Sequence, residues 1–289
     1  MVKPTKNIQK VKEYYDTSTR WYRWFYYDKD SLAIHYGFWE NPGESRTDAL
    51  INQYREVASL LKPQSGETIL DAGCGVGGGS LWLREQTSAN YVGITTSKKQ
   101  LEMAKINAKK RELEAGIKFL ERDFFDTKFA NEEFDKIFAI ESFCYSYPHP
   151  AKLYSEMYRI LKPGGKLVIS DGVLLRYPQN EYEKKITREF CEGFKMNGWN
   201  TPAEILNSLK EAGFKNTHYF SKTKEIEKSV IDIWNRSRLA SPLLWVLRLM
   251  GLATKTETEN LLATRSQKKM YYRGLFGYGV FVADKDKIL

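Results

Sequence analysis

Cysteine and histidine are both scarce in this chain of 289 residues, which contains three of each. The cysteines, Cys74, Cys144 and Cys191, are widely spaced and odd in number, so they indicate reduced thiols and not a disulfide framework. The histidines, at positions 35, 149 and 218, show no metal-ligand spacing with the cysteines. The sequence therefore predicts no metal site.

Long apolar runs are also missing. No stretch approaches the roughly 20 residues that a membrane-spanning helix needs. The opening "MVKPTKNIQKVKEYYD" is charged and has no apolar signal segment. With 42% hydrophobic and 28% charged residues, the composition is that of an ordinary globular protein. We therefore expect a cytoplasmic protein, built either as one large α/β domain with additions or as two small domains.

Positive charge is concentrated near the end of the chain. Residues 222–273 hold eleven Lys and Arg against five Asp and Glu, which is +6 of the total net charge of +9. A solvated helical surface and an anion-facing surface explain this equally well. No zinc-finger, RRM or KH signature accompanies the charge, so we expect no nucleic-acid partner. Peripheral membrane contact through this basic segment is a hypothesis that the sequence supports.

Segments typical of strands and helices alternate through the middle of the chain. Five apolar runs have strand character: "ETILDAG", "NYVGI", "IKFLERDF", "FDKIFAI" and "KLVISDG". A long amphipathic helix, "SKKQLEMAKINAKKRELEAG", is predicted to end at Gly116, and "AKLYSEMYRILKPGG" is predicted to end at its Pro-Gly-Gly. After a further helix, strands near "THYFS" and "LFGYGVFVADK" bring the total to seven. We predict a Rossmann-like, doubly wound, mostly parallel seven-stranded α/β sheet that binds its ligand at the strands' carboxyl ends.

The flanks of this core differ in composition. Eleven aromatic residues between Tyr14 and Trp39 predict a helical cover over the ligand crevice, with simple packing as the alternative. About fifty residues separate the last two strands, and their apolar "ASPLLWVLRLMGLA" predicts a helical cap, with a core helix or a membrane-touching face as alternatives. The predicted organisation is a cover (1–64), a core (65–222), a cap insertion (223–273) and a last strand (274–289).

A glycine cluster, "LDAGCGVGGGS", follows the first predicted strand. Its Gly-x-Gly-x-x-Gly spacing from Gly73 matches a dinucleotide-binding fingerprint, which alone is a weak signal. Asp71 would be unfavourable beside a pyrophosphate but favourable beside a cationic or amino-bearing ligand. An NADP-binding oxidoreductase, with Lys98 and Lys99 facing a 2′-phosphate, is the weaker alternative because of Asp71 and because the fingerprint begins some seventy residues into the chain.

Together these segments resemble class I S-adenosylmethionine-dependent methyltransferases. The strings "LDAGCGVGGGS", "VGITTSKKQ", "RDFFDTKF", "FDKIFAIES" and "RILKPGGKLVISD" occur in the order and spacing of that family. The N-terminal "YYDTSTRWYRWFYYD" and "IHYGFWENPGES" extend the resemblance to sterol, tocopherol and prenyl-diphosphate carbon methyltransferases, relatives of cyclopropane fatty-acid synthases. The resemblance implies S-adenosyl-L-methionine as cofactor and a small, apolar or prenyl-type acceptor.

The resemblance also implies a set of cofactor-binding residues. They are Tyr36, Asp71, Gly73, Cys74, Gly75, Thr95, Thr96, Gln100, Asp123, Phe124 and Ile140. The Thr95 hydroxyl and the Gln100 amide would bind the ribose hydroxyls, a task that a carboxylate often performs in this fold. Asp123 would accept from the adenine amino group, with a loop or cap acid as the alternative. Tyr36 would close over the cofactor, with packing as the alternative.

The candidate catalytic segment, "AIESFCYSYPHP", follows the fourth predicted strand. Glu141 and Ser142 match the carbon methyltransferases, and Glu141 is the candidate base, with a carboxylate that only organises the cofactor as the alternative. Tyr145 stands where sterol enzymes carry His, which argues against a sterol acceptor. Tyr145 and His149 are further candidate catalytic residues, and His35 or His149 is the next candidate for the base if Glu141 is not.

The aromatic content of 14% suits carbon methylation, because aromatic faces stabilise the carbocation that this reaction leaves. We therefore predict C-methylation of an isoprenoid or lipid-like molecule. An O- or N-methyltransferase of another small molecule is the main alternative. A nucleic-acid methyltransferase lacks its Asn/Asp-Pro-Pro-Tyr/Phe motif here, and a non-catalytic binding module would leave Glu141 without a purpose. The sequence predicts no particular oligomeric state.

Overall fold

The computed structural model describes residues 12–16, 27–251 and 254–287. Its strands are β1 (Thr68–Ala72), β2 (Asn90–Thr95), β3 (Ile117–Glu121), β4 (Phe134–Ile140), β5 (Leu161–Leu174), β6 (Lys215–Ser221) and β7 (Phe276–Asp284). They form one sheet in the order β3-β2-β1-β4-β5-β7-β6. β7 runs antiparallel to both of its neighbours, and β1 to β5 are parallel. The predicted mostly parallel, seven-stranded sheet is confirmed.

Helices cover both faces of this sheet. They are α1 (Arg46–Leu61), α2 (Gly78–Gln86), α3 (Lys98–Lys110), α4 (Pro150–Ile160), α5 (Glu181–Gly193), α6 (Pro202–Glu211), α7 (Glu227–Leu249) and α8 (Lys255–Tyr272). A 3₁₀ turn, Phe143–Ser146, follows β4. Ser45 with Asp48, and Thr201 with Glu204, form capping boxes that satisfy the first N–H groups of α1 and α6. In the described ranges no helix is long and apolar enough to cross a membrane.

The two faces of the sheet are buried in separate hydrophobic clusters. In β1, Ile69 packs in one cluster and Leu70 in the other. In β5, Val168 belongs to the first cluster, whereas its neighbours Leu167 and Ile169 belong to the second. Successive side chains of a strand point to opposite faces, so continuously apolar strands are what a sheet covered on both sides requires.

Helix α3 ends at Lys110 and not at Gly116, so the predicted helix was too long. Glu112 adopts a left-handed conformation (φ 57°), and the Leu113 N–H returns to the Ala108 carbonyl at 3.0 Å. This closes the last turn of the helix.

The Pro-Gly-Gly segment also differs from its prediction. Helix α4 ends at Ile160, and "LKPGG" forms the start of β5. The Gly164 N–H donates to the Lys285 carbonyl at 2.8 Å, and the Lys285 N–H donates to the Gly165 carbonyl at 2.9 Å. Backbone pairing with the chain that follows β7 therefore holds this segment in the sheet.

The described part of the N-terminal cover differs from the prediction, because within it only residues 12–16 and α1 are helical. Residues 27–45 contain no helix, because their backbone groups pair with distant residues. The Gly37 N–H donates to Ser229 Oγ at 2.9 Å, and the Trp39 N–H donates to the Glu225 carbonyl at 2.9 Å. Trp21, Tyr22, Trp24, Phe25 and Tyr26, which belong to the predicted aromatic cover, lie outside the described residues.

Helices α7 and α8 form the predicted cap between β6 and β7. α8 packs against both α5 and α7. Each predicted domain boundary, at residues 64/65, 222/223 and 273/274, falls between secondary-structure elements. The division of the chain at these points stays a prediction.

Candidate active site

A cavity of about 220 Å³ lies at the carboxyl ends of β1 to β5. The strand order reverses between β1 and β4, and open α/β sheets bind ligands at such a point. The cavity is lined by all eleven residues predicted to bind the cofactor, which are Tyr36, Asp71, Gly73, Cys74, Gly75, Thr95, Thr96, Gln100, Asp123, Phe124 and Ile140. Residues far apart in sequence are therefore neighbours here.

The turn after β1 presents its backbone to the cavity. It is anchored by the N–H groups of Gly73 and Cys74, which donate to the Ile94 carbonyl at 3.0 and 2.9 Å. Gly73 has φ +103°, and a Cβ there would lie 2.3 Å from Ser142 Cβ. Gly75 has φ +54°, and a Cβ there would have no heavy atom within 4 Å. A side chain at Gly75 would therefore enter open space that a ligand could occupy.

Polar side chains are held together at the end of β2. Thr95 Oγ1 donates to Gln100 Oε1 at 2.9 Å, and Ser97 Oγ accepts from the Gln100 N–H at 3.2 Å. The helical residues 12–16 contact this corner, since Ser97 Oγ donates to Asp16 Oδ1 at 2.5 Å. The hydroxyl and amide groups predicted to bind ribose are thus oriented by hydrogen bonds within this corner of the cavity.

Asp123 and Phe124 follow β3. Asp123 Oδ1 accepts from the Phe125 N–H at 2.8 Å, which fixes the carboxyl group within its own loop. Burial raises the pKa of Asp123 above its ordinary value. The side chain is both a loop acid and a cavity residue, so the two interpretations from the sequence are compatible.

Glu141, at the carboxyl end of β4, is the most constrained acid in the cavity. Its backbone is left-handed (φ 49°), a conformation that costs a non-glycine residue about 1–2 kcal/mol. Its Oε1 accepts from the Tyr36 N–H at 2.8 Å and from the Tyr278 hydroxyl at 2.9 Å. Burial, and secondarily the charge of Asp171, raise its pKa to about 8, while the two hydrogen bonds lower it.

Tyr36 connects this acid to the cap. Its ring contacts those of Phe276 and Tyr278, with centroids 5.8 and 5.6 Å away. Its hydroxyl is hydrogen-bonded to the side-chain amide of Gln267 in α8. The N-terminal segment, the cap and β7 therefore meet at one tyrosine beside Glu141.

Asp171, near the carboxyl end of β5, is a cavity residue that was not predicted from the sequence. Its Oδ2 accepts from the Cys144 N–H and its Oδ1 from the Gly172 N–H, both at 2.8 Å. Burial raises its pKa to about 7. A signal was available, because Asp171 is next to last in the predicted strand "KLVISDG", much as Asp71 is near the end of "ETILDAG".

An aromatic wall, also missed, closes the side of the cavity next to β5 and β7. Phe190 and Trp199 stack with centroids 4.5 Å apart, and Trp199 and Phe276 stack at 5.0 Å with 14° between their planes. All three residues line the cavity. They come from α5, from the loop before α6 and from β7, so no local sequence pattern joins them.

The other candidate catalytic residues have different positions. Tyr145 lines the cavity, and its hydroxyl is 3.0 Å from the Tyr15 hydroxyl. His149 is exposed at the start of α4 and does not line the cavity, so the geometry gives it no contact with reacting atoms. His35 does line the cavity, and burial lowers its pKa to about 4. Its neutral imidazole has Nδ1 2.7 Å from the Tyr36 carbonyl.

The charges of the cavity fit S-adenosylmethionine. Burial raises the pKa of four lining carboxyl groups: Asp71 and Asp171 to about 7, Glu141 to about 8, and Asp123 in the same direction. A cationic ligand stabilises the ionised form of such groups, whereas a pyrophosphate would be repelled. The cofactor's ammonium and sulfonium groups, together with the space at Gly75, match this site. In the described part of the chain, no cluster of three or more His, Cys, Asp and Glu could hold a metal ion.

Comparison with known proteins indicates the family to which the chain belongs. The family described as "Methyltransferase domain" matches residues 63–233. The methyltransferase phqN of Penicillium fellutanum is 30% identical over 177 residues, which are 61% of this chain and 54% of that protein. The 24-methylenesterol C-methyltransferase 3 of Arabidopsis thaliana is 28% identical over 267 residues, 88% of this chain and 72% of that protein. The chain thus spans about half the length of the first relative and nearly three-quarters of the second.

Two solved structures share the fold at low sequence identity. The cyclopropane synthase MmaA2 of Mycobacterium tuberculosis has a TM-score of 0.82 at 19% identity, covering 98% of this chain and 99% of that one. Geranyl diphosphate C-methyltransferase of Streptomyces coelicolor A3(2) has a TM-score of 0.75 at 19% identity, covering 99% and 100%. The family match spans more than half of the chain. The chain belongs to the family described as "Methyltransferase domain".

Proposed function

We propose that this protein transfers a methyl group to a carbon atom of an isoprenoid or other lipid-like small molecule. S-adenosylmethionine, when bound, supplies that methyl group on a positively charged sulfur. The sterol and geranyl diphosphate carbon methyltransferases among the similar proteins support the proposal. The observation that carries it is the position of Glu141 between two unlike halves of the cavity.

One half of the cavity is polar and the other is aromatic. The polar half is formed at the ends of β1, β2 and β3, where most of the predicted cofactor-binding residues lie. The aromatic half is formed by Phe190, Trp199 and Phe276 beside β5 and β7. β4 lies between β1 and β5 in the sheet, so Glu141 at its end faces both halves. A cofactor and an apolar acceptor could therefore meet next to this carboxyl group.

Carbon methylation needs both features of this arrangement. When an alkene carbon accepts a methyl group, the acceptor becomes a carbocation that must lose a proton. The aromatic faces stabilise positive charge on the acceptor, and the Glu141 carboxylate accepts the proton. The Tyr36 N–H and the Tyr278 hydroxyl hold that carboxylate in place and favour its ionised form.

The N-terminal segment and the cap would exclude water from the reaction. Besides the Gly37–Ser229 hydrogen bond, Asn260 Nδ2 in α8 donates to the Tyr14 hydroxyl at 2.5 Å. These contacts join residues 12–16 and 27–45 to α7 and α8 above the cavity. A closed site protects the reactive methyl group from water. Because the proposed acceptor is lipid-like, we also propose that the enzyme works in the cytoplasm, in contact with a membrane surface.

Mass spectrometry can test the proposed reaction. We would incubate the protein with a lipid extract and S-adenosylmethionine carrying an isotopically labelled methyl group. The proposal expects the label on carbon of an apolar product, stable to hydrolysis. Label on the oxygen or nitrogen of a small polar molecule would instead support the O- or N-methyltransferase alternative and contradict the proposal.

A further inference from the structure

The second half of α7, together with Met250 directly after it, exposes an apolar surface. Its residues are Leu239, Leu243, Trp245, Val246, Leu249 and Met250, each more than half exposed. Leu239, Leu243 and Val246, at spacings of four and three, lie on one side of the helix, opposite the buried Leu244. Leu239 and Leu249 are 76% and 82% exposed, which is unusual for a leucine in a packed helix.

A basic groove lies beside this apolar surface. It has a volume of about 760 Å³ and is lined by Tyr182, Trp234, Arg238, Arg265, Lys268, Lys269, Tyr272 and Arg273. None of the lining residues is acidic. Aromatic rings hold some of the cations, with Lys268 Nζ 3.5 Å from the Trp234 centroid and Arg273 Cζ 4.7 Å from that of Tyr182. The groove is thus a concentrated positive surface with flat aromatic walls.

The groove and the apolar surface share the same helices. In α7, Arg238 of the groove and Trp245 of the apolar surface are seven residues apart, and therefore lie on one side of the helix. In α8, Leu262 is 54% exposed, and the exposed Arg265 and Lys269 follow it at spacings of three and four. Apolar and basic side chains consequently form one continuous surface of the cap.

We propose that this cap surface docks on an anionic lipid bilayer. The apolar side chains of α7 would enter the boundary between headgroups and acyl chains, and the basic groove would face lipid phosphates. Helices that lie in the membrane interface combine these two properties, an apolar face and basic residues beside it. Each Lys or Arg near such a surface strengthens binding by a factor of about five.

Other occupants match the surface less well. A free phosphate would fill the basic groove but leave the apolar side chains of α7 in water. A second copy of the chain could cover the apolar side chains, but a two-fold contact centred on this surface would bring two basic grooves together. An anionic bilayer satisfies both parts of the surface at once.

The test is co-sedimentation of the full chain with lipid vesicles, without S-adenosylmethionine or acceptor. This makes the result independent of the proposed reaction. One set of vesicles contains only phosphatidylcholine, and the other also contains phosphatidylglycerol. We expect binding to the anionic vesicles at low salt, weaker binding as salt rises, and little binding to the neutral vesicles. Free inorganic phosphate at millimolar concentration should compete poorly.

Matched variants distinguish the effect of the cap surface on binding from the effects of net charge and overall hydrophobicity. Arg265→Gln with Lys269→Gln should weaken binding about 30-fold, while Lys105→Gln with Lys109→Gln, an exposed pair of equal spacing on α3, should have little effect. In the same way, Leu239→Ser with Leu249→Ser should weaken binding more than tenfold. The exposed Ile106→Ser serves as its control.

Three outcomes would overturn the proposal. The first is no binding of the unaltered chain to anionic vesicles at low salt. The second is an equal loss of vesicle binding in the cap variants and in their controls, which would mean that net charge alone drives binding. The third is a lipid-free dimer, seen by sedimentation velocity, that Leu239→Ser with Leu249→Ser dissociates. Circular dichroism and binding of S-adenosylhomocysteine establish that each variant is folded.

Discussion

Glu141 is the residue on which the proposed chemistry depends most. General bases typically contribute about 10²–10⁴-fold, so Glu141→Gln should lower kcat by that factor. Affinity for S-adenosylhomocysteine should change little, because the predicted ribose and adenine contacts are made by other residues. Asp123→Asn should show the opposite pattern, with weaker cofactor binding and a nearly normal kcat. If Glu141→Gln weakens cofactor binding and leaves kcat intact, Glu141 only organises the cofactor.

Tyr278 adjusts the acidity of Glu141. Its hydroxyl donates to Glu141 Oε1, which lowers the pKa of that carboxyl group. Because kcat/KM depends on the ionised base of the free enzyme, it should rise with pH toward a plateau above about 8. Tyr278→Phe removes the hydrogen bond, so the midpoint of the rise in kcat/KM should move about one pH unit higher. Tyr219→Phe is the control. The Tyr219 hydroxyl donates to a backbone carbonyl and not to Glu141, so its removal should leave the pH profile unchanged.

At the scale of elements, the turn between β1 and α2 offers a direct test of cofactor binding. A hundredfold excess of S-adenosylhomocysteine over its Kd should stabilise the protein by about 2.7 kcal/mol and raise Tm by roughly 5 °C. Gly75→Asp should abolish this shift, because its side chain enters the open part of the cavity. Gly66→Asp is the matched control, since Gly66 also has a positive φ and no atom near an added Cβ, but lies away from the cavity. A normal shift with Gly75→Asp would contradict the predicted cofactor site.

At the scale of the whole molecule, the buried carboxyl groups should make stability depend on pH. Folding raises the pKa of Asp71, Asp171 and Glu141 to about 7, 7 and 8, so between about pH 4 and 8 the folded state binds more protons than the unfolded chain. The free energy of unfolding therefore falls as pH rises through this window. Burial lowers the pKa of His35 to about 4. Below about pH 6.5 this residue therefore has the opposite effect, and its contribution to the free energy of unfolding rises with pH.

The clearest interval for this measurement is therefore pH 6.5 to 8.5. Urea unfolding of the ligand-free protein should show that the free energy of unfolding falls by roughly 3 kcal/mol over this interval. Asp171→Asn should reduce the loss, because one of the three titrating groups is gone and the pKa of Glu141 falls with it. Constant or increasing stability over the interval would show that these carboxyl groups stay neutral, or are solvated, in the folded protein.

Sequence alone determined the parts of this protein that are local. The glycine turn, the polar segment after β2 and the acid after β4 are each contiguous in the chain, and strand–helix alternation places them all at the same edge of a parallel sheet. The resemblance to methyltransferases rests on these segments, and the family match confirms it. The limits of α3 and β5 were less accurate, because they depend on a left-handed Glu112 and on backbone pairing of Gly164 with residues after β7.

Only the tertiary structure decided how the candidate base is held and what surrounds it. Glu141 accepts hydrogen bonds from Tyr36 and Tyr278, which are 105 and 137 positions away in the chain. The aromatic wall likewise depends on how α5, the loop before α6 and β7 come together. Hydrogen-bond geometry and desolvation arise from packing between distant segments. No local pattern records which segments will meet, so neither the raised pKa of Glu141 nor the division of the cavity into polar and aromatic halves could be inferred before the chain was folded.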